Sequence, residues 1–157
     1  MNIEKIWIIK LVLVAVMVAS CSHQPAVSKQ PSNVASKAAS IAKNMVGIRY
    51  RYGGNNPERG FDCSGLVQYS YRHAGASVPR NTRQQRKSSR WVSSSKLKKG
   101  DLLFFNQLGK RSSHVGIYIG NRKFVHAPSS GKRVRVDSLQ TPYWKKHLAS
   151  ARRFDQI

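Results

Sequence analysis

The apolar pattern changes character once along this chain, at Gly100. Before it, Val34, Ala38, Ile41, Ala42 and Met45 recur at three- and four-residue intervals and stop at Gly47, which is a helical period. Asn33 stands where a helix cap belongs, and Asp62 stands in the same relation to a second helix over 63–73, with Gly75 beyond its end. Asn81 and Thr82 open a third, short one, and 48–52 alternates like a strand. After Gly100 the period shortens. Segments 102–105, 114–119, 123–126, 133–136 and 149–154 read as five strands, with turn residues between most of them. Helices first and antiparallel strands afterwards make an α+β domain over 33–157, about 125 residues, enough for a core.

The first twenty residues stand apart from that domain. Lys5 and Lys10 precede an apolar run, 11–19, and then Ser20 and Cys21. Nine residues cannot cross a hydrocarbon core of about 30 Å. A charged start, a short apolar stretch and a small-residue exit describe a secretory signal over 1–20. A membrane anchor reaching back to Ile6 would carry Lys10 in its middle. Residues 21–32 are polar with two prolines and read as a tether.

Val18-Ala19-Ser20-Cys21 resembles the bacterial lipoprotein processing box, which implies that Cys21 is lipidated and becomes the first residue. Ser22 beside it resembles lipoproteins sorted to the outer membrane of Gram-negative cells. The expectation is an exported, lipid-anchored monomer on the periplasmic face of that membrane. Cys63 is then the only free thiol, which an active-site role explains. A Cys21–Cys63 disulfide is the alternative.

Lysine and arginine number 28 against 6 acids, a net charge of +22. Such an excess favours an anionic surface, either lipid head groups or carboxylate-bearing wall. Nucleic acid fits less well. The longest basic cluster, 80–99, has only Trp91 interleaved, which is poor material for a stacking platform.

Cys63, His114 and His126 carry the chemistry. A helix N-terminus presents unpaired N–H groups and a dipole that favour a thiolate at Cys63, and a neighbouring imidazole completes the activation. The Cys63 backbone N–H is placed to stabilise an oxyanion. The hairpin between the histidines tests this. A two-residue turn over 120–121 sets His126 opposite Val115 and turns His114 away. A three-residue loop over 120–122 sets it opposite Gly116, with His114 diagonal on the same face. The chemistry therefore requires the odd offset or a bulge. Gly116 leaves space between the rings. His23, His73 and His147 read as incidental. A zinc ion on Cys63, His114 and His126 would lack a nearby carboxylate base, so no metal or other cofactor is expected.

The blocks 50–54, 62–67, 79–82, 100–105, 114–120 and 124–127, with Tyr143-Trp144-Lys145-Lys146 near the end, resemble in order the NlpC-type cysteine peptidases of bacterial cell walls. The likeness is to their small outer-membrane lipoprotein branch. It implies a reduced papain-like fold, the nucleophile helix packed on a five- to six-stranded antiparallel sheet. It also implies Cys63 as nucleophile, His114 as base and His126 as the orienting residue, with Tyr50, Asp62 and Ser64 lining the substrate cleft. The implied reaction is hydrolysis in the peptidoglycan stem peptide, at the γ-D-glutamyl–diaminopimelate bond or a crosslink. Alternatives are an N-acetylmuramoyl-L-alanine amidase or acyltransferase using the same thiol, or a non-catalytic wall-binding lipoprotein.

Overall fold

The computed structural model describes residues 31–107 and 109–155. The signal segment 1–20, Cys21 and His23 lie outside the described residues. Helix α1 runs Pro31–Asn44. Strands β1 (Asn55–Asn56) and β2 (Gly60–Phe61) form a small hairpin, followed by α2 (Cys63–Ala74), α3 (Thr82–Lys87) and β3 (Arg90–Val92). Then come β4 (Leu102–Gln107), β5 (Lys110–Gly120), β6 (Lys123–His126), β7 (Arg135–Ser138), α4 (Pro142–His147) and β8 (Leu148–Arg153). The six long-range strands make one antiparallel sheet in the order β3-β8-β4-β5-β6-β7. This is the α+β architecture expected from the change of period at Gly100.

Both faces of the sheet are covered, which explains the unbroken apolar run 102–105. Leu102 and Phe104 face α1 and α2, while Leu103 and Phe105 face Trp144, Phe124 and Leu139, and all four strand residues are 0% exposed. Burying such side chains contributes about 1.5–3 kcal/mol each. Alanines 35, 38, 39 and 42 give α1 a narrow flank that lets it lie close to α2. Asp62 caps α2 by accepting from Gly65 N at 2.6 Å, and Gly75 (φ 102°) ends it with a left-handed turn.

Several boundaries differ from expectation. Helix α1 includes Pro31 and Ser32, so Asn33 lies inside its first turn and does not cap it. Residues 48–52 form no strand. Their hydrogen bonds divide between 132–134 (Tyr50 N to Lys132 O, Val134 N to Ile48 O) and Phe61, so no single ladder propagates. For the same reason β7 begins at Arg135, not at 133: Val134 gives its backbone to residues 47–48 before the chain joins β6. Strand β3 falls within the basic cluster 80–99, at the sheet edge.

Candidate active site

The β5–β6 hairpin carries the offset that the chemistry requires. Asn121 (φ 51°) and Arg122 (φ 58°) form a two-residue turn with both central residues left-handed. A register shift between Tyr118 and Gly120 then leaves Ile117 opposite Val125 and Tyr118 opposite Phe124. Continuing that register sets His126 against Gly116, with His114 diagonal. A Cβ on Gly116 would sit 2.6 Å from the Phe124 ring and 3.3 Å from His126 Cβ, so glycine is required for this approach. His114 Nε2 lies 2.8 Å from His126 Nδ1.

The relay does not end at His126. His126 Nε2 lies 3.0 Å from Asp137 Oδ2. Asp137 pairs with Phe124 across β6–β7, two residues from His126 on the same face. The same carboxylate accepts from Arg135 Nη2 at 2.9 Å and from Trp144 Nε1 at 2.9 Å. Burial alone would raise the Asp137 pKa, but Arg135 and His126 outweigh it and hold it below the usual carboxylate range. Ionised, Asp137 only accepts hydrogen bonds. His126 therefore carries its proton on Nε2 and accepts at Nδ1 from the His114 Nε2–H. The lone pair left on His114 is at Nδ1.

Both rings are neutral in this structure. His114 is 3% exposed and His126 0%. Trp144 stacks on His114 at 5.9 Å and meets His126 edge-on at 4.9 Å, with Phe124 5.0 Å from His126. Burial is the main cause lowering His114 to about 3, followed by the His126 charge, and burial lowers His126 to about 4 against the pull of Asp137.

Cys63 is the first residue of α2 and is partly exposed. Strand β5 runs on past the end of β6, and the sulfur lies at its backbone beside Val115, the residue after His114, with Thr82 Oγ1 3.8 Å away. Burial raises the thiol pKa, and the nearby Asp62 carboxylate adds to it. Hydrogen bonding from the Val115 backbone, Thr82 and the Ser64 backbone opposes them without prevailing. The thiol is therefore shifted up, where the helix N-terminus was expected to favour the thiolate with a neighbouring imidazole completing the activation.

Tyr50 is half-buried at the same place. Its phenol pKa is raised by burial and then by Cys63 and Asp62. Asp62 and Ser64 are drawn into a clamp. Arg80 reaches Asp62 Oδ1 at 3.0 Å, Asp62 Oδ2 at 2.7 Å, Ser64 Oγ at 3.0 Å and Gly54 O at 3.3 Å. Gly53 N adds a bond to Asp62 Oδ2 at 2.9 Å. This locks the loop 53–54 across the first turn of α2, where a Cβ on Gly65 would overlap Gly54 O. Gln85, fully buried, ties α3 to Ser64 O at 3.0 Å. His73 stacks near Tyr69 and His147 on Tyr143, away from the relay. Asp137, Arg80, Thr82 and Trp144 are the residues that the sequence reading of the site missed.

The NlpC/P60 family model matches residues 47–153. The chain belongs to the NlpC/P60 family. It is 47% identical over 108 residues to a murein DD-endopeptidase/LD-carboxypeptidase, MepS, of Escherichia coli K12, covering 68% of this chain and 56% of that one. It is 40% identical over 133 residues to a probable endopeptidase NlpC homolog of Haemophilus influenzae, covering 83% and 69%. The E. coli murein DD-endopeptidase MepH matches at 40% identity over 74% of this chain, and the matched region spans 46% of MepH. Among solved structures, an NlpC/P60 protein of Bacillus cereus superposes with a TM-score of 0.70 at 32% identity, covering 76% of this chain and 40% of that one.

Proposed function

We propose that this NlpC/P60 chain is a peptidoglycan hydrolase, a cysteine endopeptidase that cleaves the stem peptide. The observation that carries the reading is the relay from Asp137 through His126 to His114, which leaves an unprotonated Nδ1 on the strand that borders Cys63. On this reading Cys63 is the nucleophile, His114 the base, His126 the orienting residue and Asp137 the group that fixes its tautomer. Tyr50, Asp62 and Ser64 border the substrate, the latter two held in place by Arg80.

As the sulfur attacks the scissile carbonyl, the Cys63 proton passes to His114 Nδ1. The Cys63 N–H has no partner within the helix and stabilises the oxyanion, and such a donor contributes about 10²–10³ in kcat. His114 then protonates the leaving amine, giving a thioester. A water deprotonated by the same nitrogen hydrolyses it and restores the thiol. General acid–base help of this kind contributes about 10²–10⁴-fold.

The bond cleaved is either γ-D-glutamyl–diaminopimelate or a D,D crosslink. A Bacillus subtilis relative at 42% identity is named a bifunctional muramidase/DL-endopeptidase and another, at 39%, a gamma-DL-glutamyl hydrolase, while MepS and MepH are named DD-endopeptidases. Mass spectrometry of defined muropeptides incubated with purified residues 22–157 distinguishes the products. New amino termini lost in Cys63→Ala support the reading, and undiminished turnover in that variant ends it.

The sequence around Cys21 supports an exported lipoprotein anchored at that residue, facing the periplasm from the outer membrane. Incorporation of labelled palmitate that disappears in Cys21→Ala is the expected result, and label retained in that variant refutes it.

A further inference from the structure

Arg83 directly follows Thr82, the hydroxyl neighbour of the Cys63 sulfur, and Arg86 lies one turn further along α3. Both are exposed. Together with Asn106, Ser112 and Ala149 they line a cavity of about 510 Å³ between α3 and the β4–β5 hairpin. Asn106 follows Phe105, the strand partner of His114. Through Arg83 the cavity wall begins one residue from Thr82, the hydroxyl neighbour of the sulfur.

Its charge is uncompensated. Among the described residues, four carboxylates are ion-paired elsewhere: Asp62 with Arg80, Asp101 with Arg153, Asp137 with Arg135 and Asp155 with Arg90. The remaining one, Glu58, lies in the 57–59 turn between β1 and β2, where its backbone O accepts from Arg49. A third cation crowds Arg86. The Arg152 Nη1 donates to Arg86 O at 3.0 Å and Ser89 O at 2.6 Å, and its buried Nε has no partner. Burial and the Arg86 charge both depress the Arg152 pKa. Like charges gathered without a counter-ion are stabilised by a bound anion. Asn106 Oδ1 is already taken by Ser112 N at 2.8 Å, so Asn106 offers a ligand its amide N–H groups. The cavity lined by Lys132, Arg135 and Asp137 differs in holding its own carboxylate, which already engages Arg135.

We propose that Arg83 and Arg86 form a subsite that binds a free carboxylate of the stem peptide beside the scissile bond. This rests on the peptidase reading, and it names the substrate feature selected: the free acid over the amidated peptide. Guanidinium forks match carboxylates in bidentate geometry, which a primary amide cannot reproduce.

The test separates binding from turnover. Cys63→Ala protein is titrated with a stem tetrapeptide and with the same peptide carrying its carboxylates as primary amides. The acid is expected to bind roughly tenfold more tightly, within what charge-assisted hydrogen bonds supply. Arg83→Gln/Arg86→Gln in that background is expected to bind the two alike. Lys98→Gln/Lys99→Gln, which removes the same charge elsewhere, is expected to keep the preference. Equal binding of acid and amide by the parent, a preference surviving in the arginine variant, or one lost equally in the lysine control overturns the proposal. Turnover by the Cys63 enzyme is measured in parallel. Acid-selective binding without hydrolysis would sink the peptidase reading and leave the subsite standing. Hydrolysis that is indifferent to amidation would do the reverse.

Discussion

The two sides of the cleft hold their reactive groups by opposite means. His114 and His126 are fixed in an aromatic niche of Trp144, Phe124 and Phe105, with a single carboxylate at the far end. Cys63 is fixed by an ionic clamp at the surface, Asp62–Arg80–Ser64, which pins a loop over the first turn of α2. Desolvation sets the protonation of the base side. Charge and hydrogen bonding set the geometry of the nucleophile side. The first arrangement makes proton affinity sensitive to packing, and the second makes position sensitive to one ion pair.

Substitutions should separate the two. The largest effect is expected from His114→Gln, which removes the group proposed as the base and lowers kcat/KM by about 10²–10⁴-fold with the fold intact by circular dichroism. A loss below tenfold would show that another group takes the proton. Asp137→Asn comes next. A neutral amide no longer dictates which His126 nitrogen carries the proton, so kcat is expected to fall by about 10–10²-fold with KM little changed, less than when a carboxylate touches the base directly. Imidazole ¹⁵N shifts report the mixed tautomers, and unchanged shifts would reduce Asp137 to a structural role.

On the other side, Asp62→Ala removes a helix cap and leaves Arg80 without its counter-ion. The cap contributes about 0.5–2 kcal/mol. Because Arg80 is about one-third exposed, its pairing adds about 1 kcal/mol more and not the full value of a buried bridge. The urea midpoint is expected to drop accordingly, with kcat for the residual folded protein lowered less than in His114→Gln. A smaller effect is expected from pH. Both histidines have folded pKa values below 6.5, so the unfolded chain binds more protons in acid. Their contribution to stability is fully present above about pH 6.5 and is lost as pH falls towards 4 and 3. A thermal midpoint flat from pH 6.5 to 4.5, or one falling equally in a His114→Gln/His126→Gln variant, would contradict the neutral pair.

The legible parts of this molecule are those with local causes. Asp62 as cap, Gly75 as terminator and the offset hairpin follow from neighbouring residues, and the offset could be derived because the two rings must share a face. The particular solution, a two-residue turn at Asn121-Arg122 plus a bulge, was not derivable: it places an arginine in a left-handed conformation that its residue type does not favour. Asp137 was missed because 133–136 reads as the strand. Only the long-range hydrogen bonds of Val134 to residues 47–48 push the ladder two residues on and bring that carboxylate beside His126. Arg80 and Thr82 stood in a recognised block, yet their pairing with 62–64 and with the sulfur depends on how the 75–81 connection returns. The depressed thiol pKa expected at the helix terminus is not met because burial, joined by Asp62, outweighs the hydrogen bonds from Val115, Thr82 and Ser64.

That protonated sulfur has a consequence for durability. Peroxide and alkylating agents attack thiolates, and each oxidation step beyond the sulfenic acid is hard to reverse. On the peptidase reading, a thiol whose pKa burial pushes up presents less thiolate to such agents between turnovers, so slow oxidative inactivation is the expected counterpart of its environment.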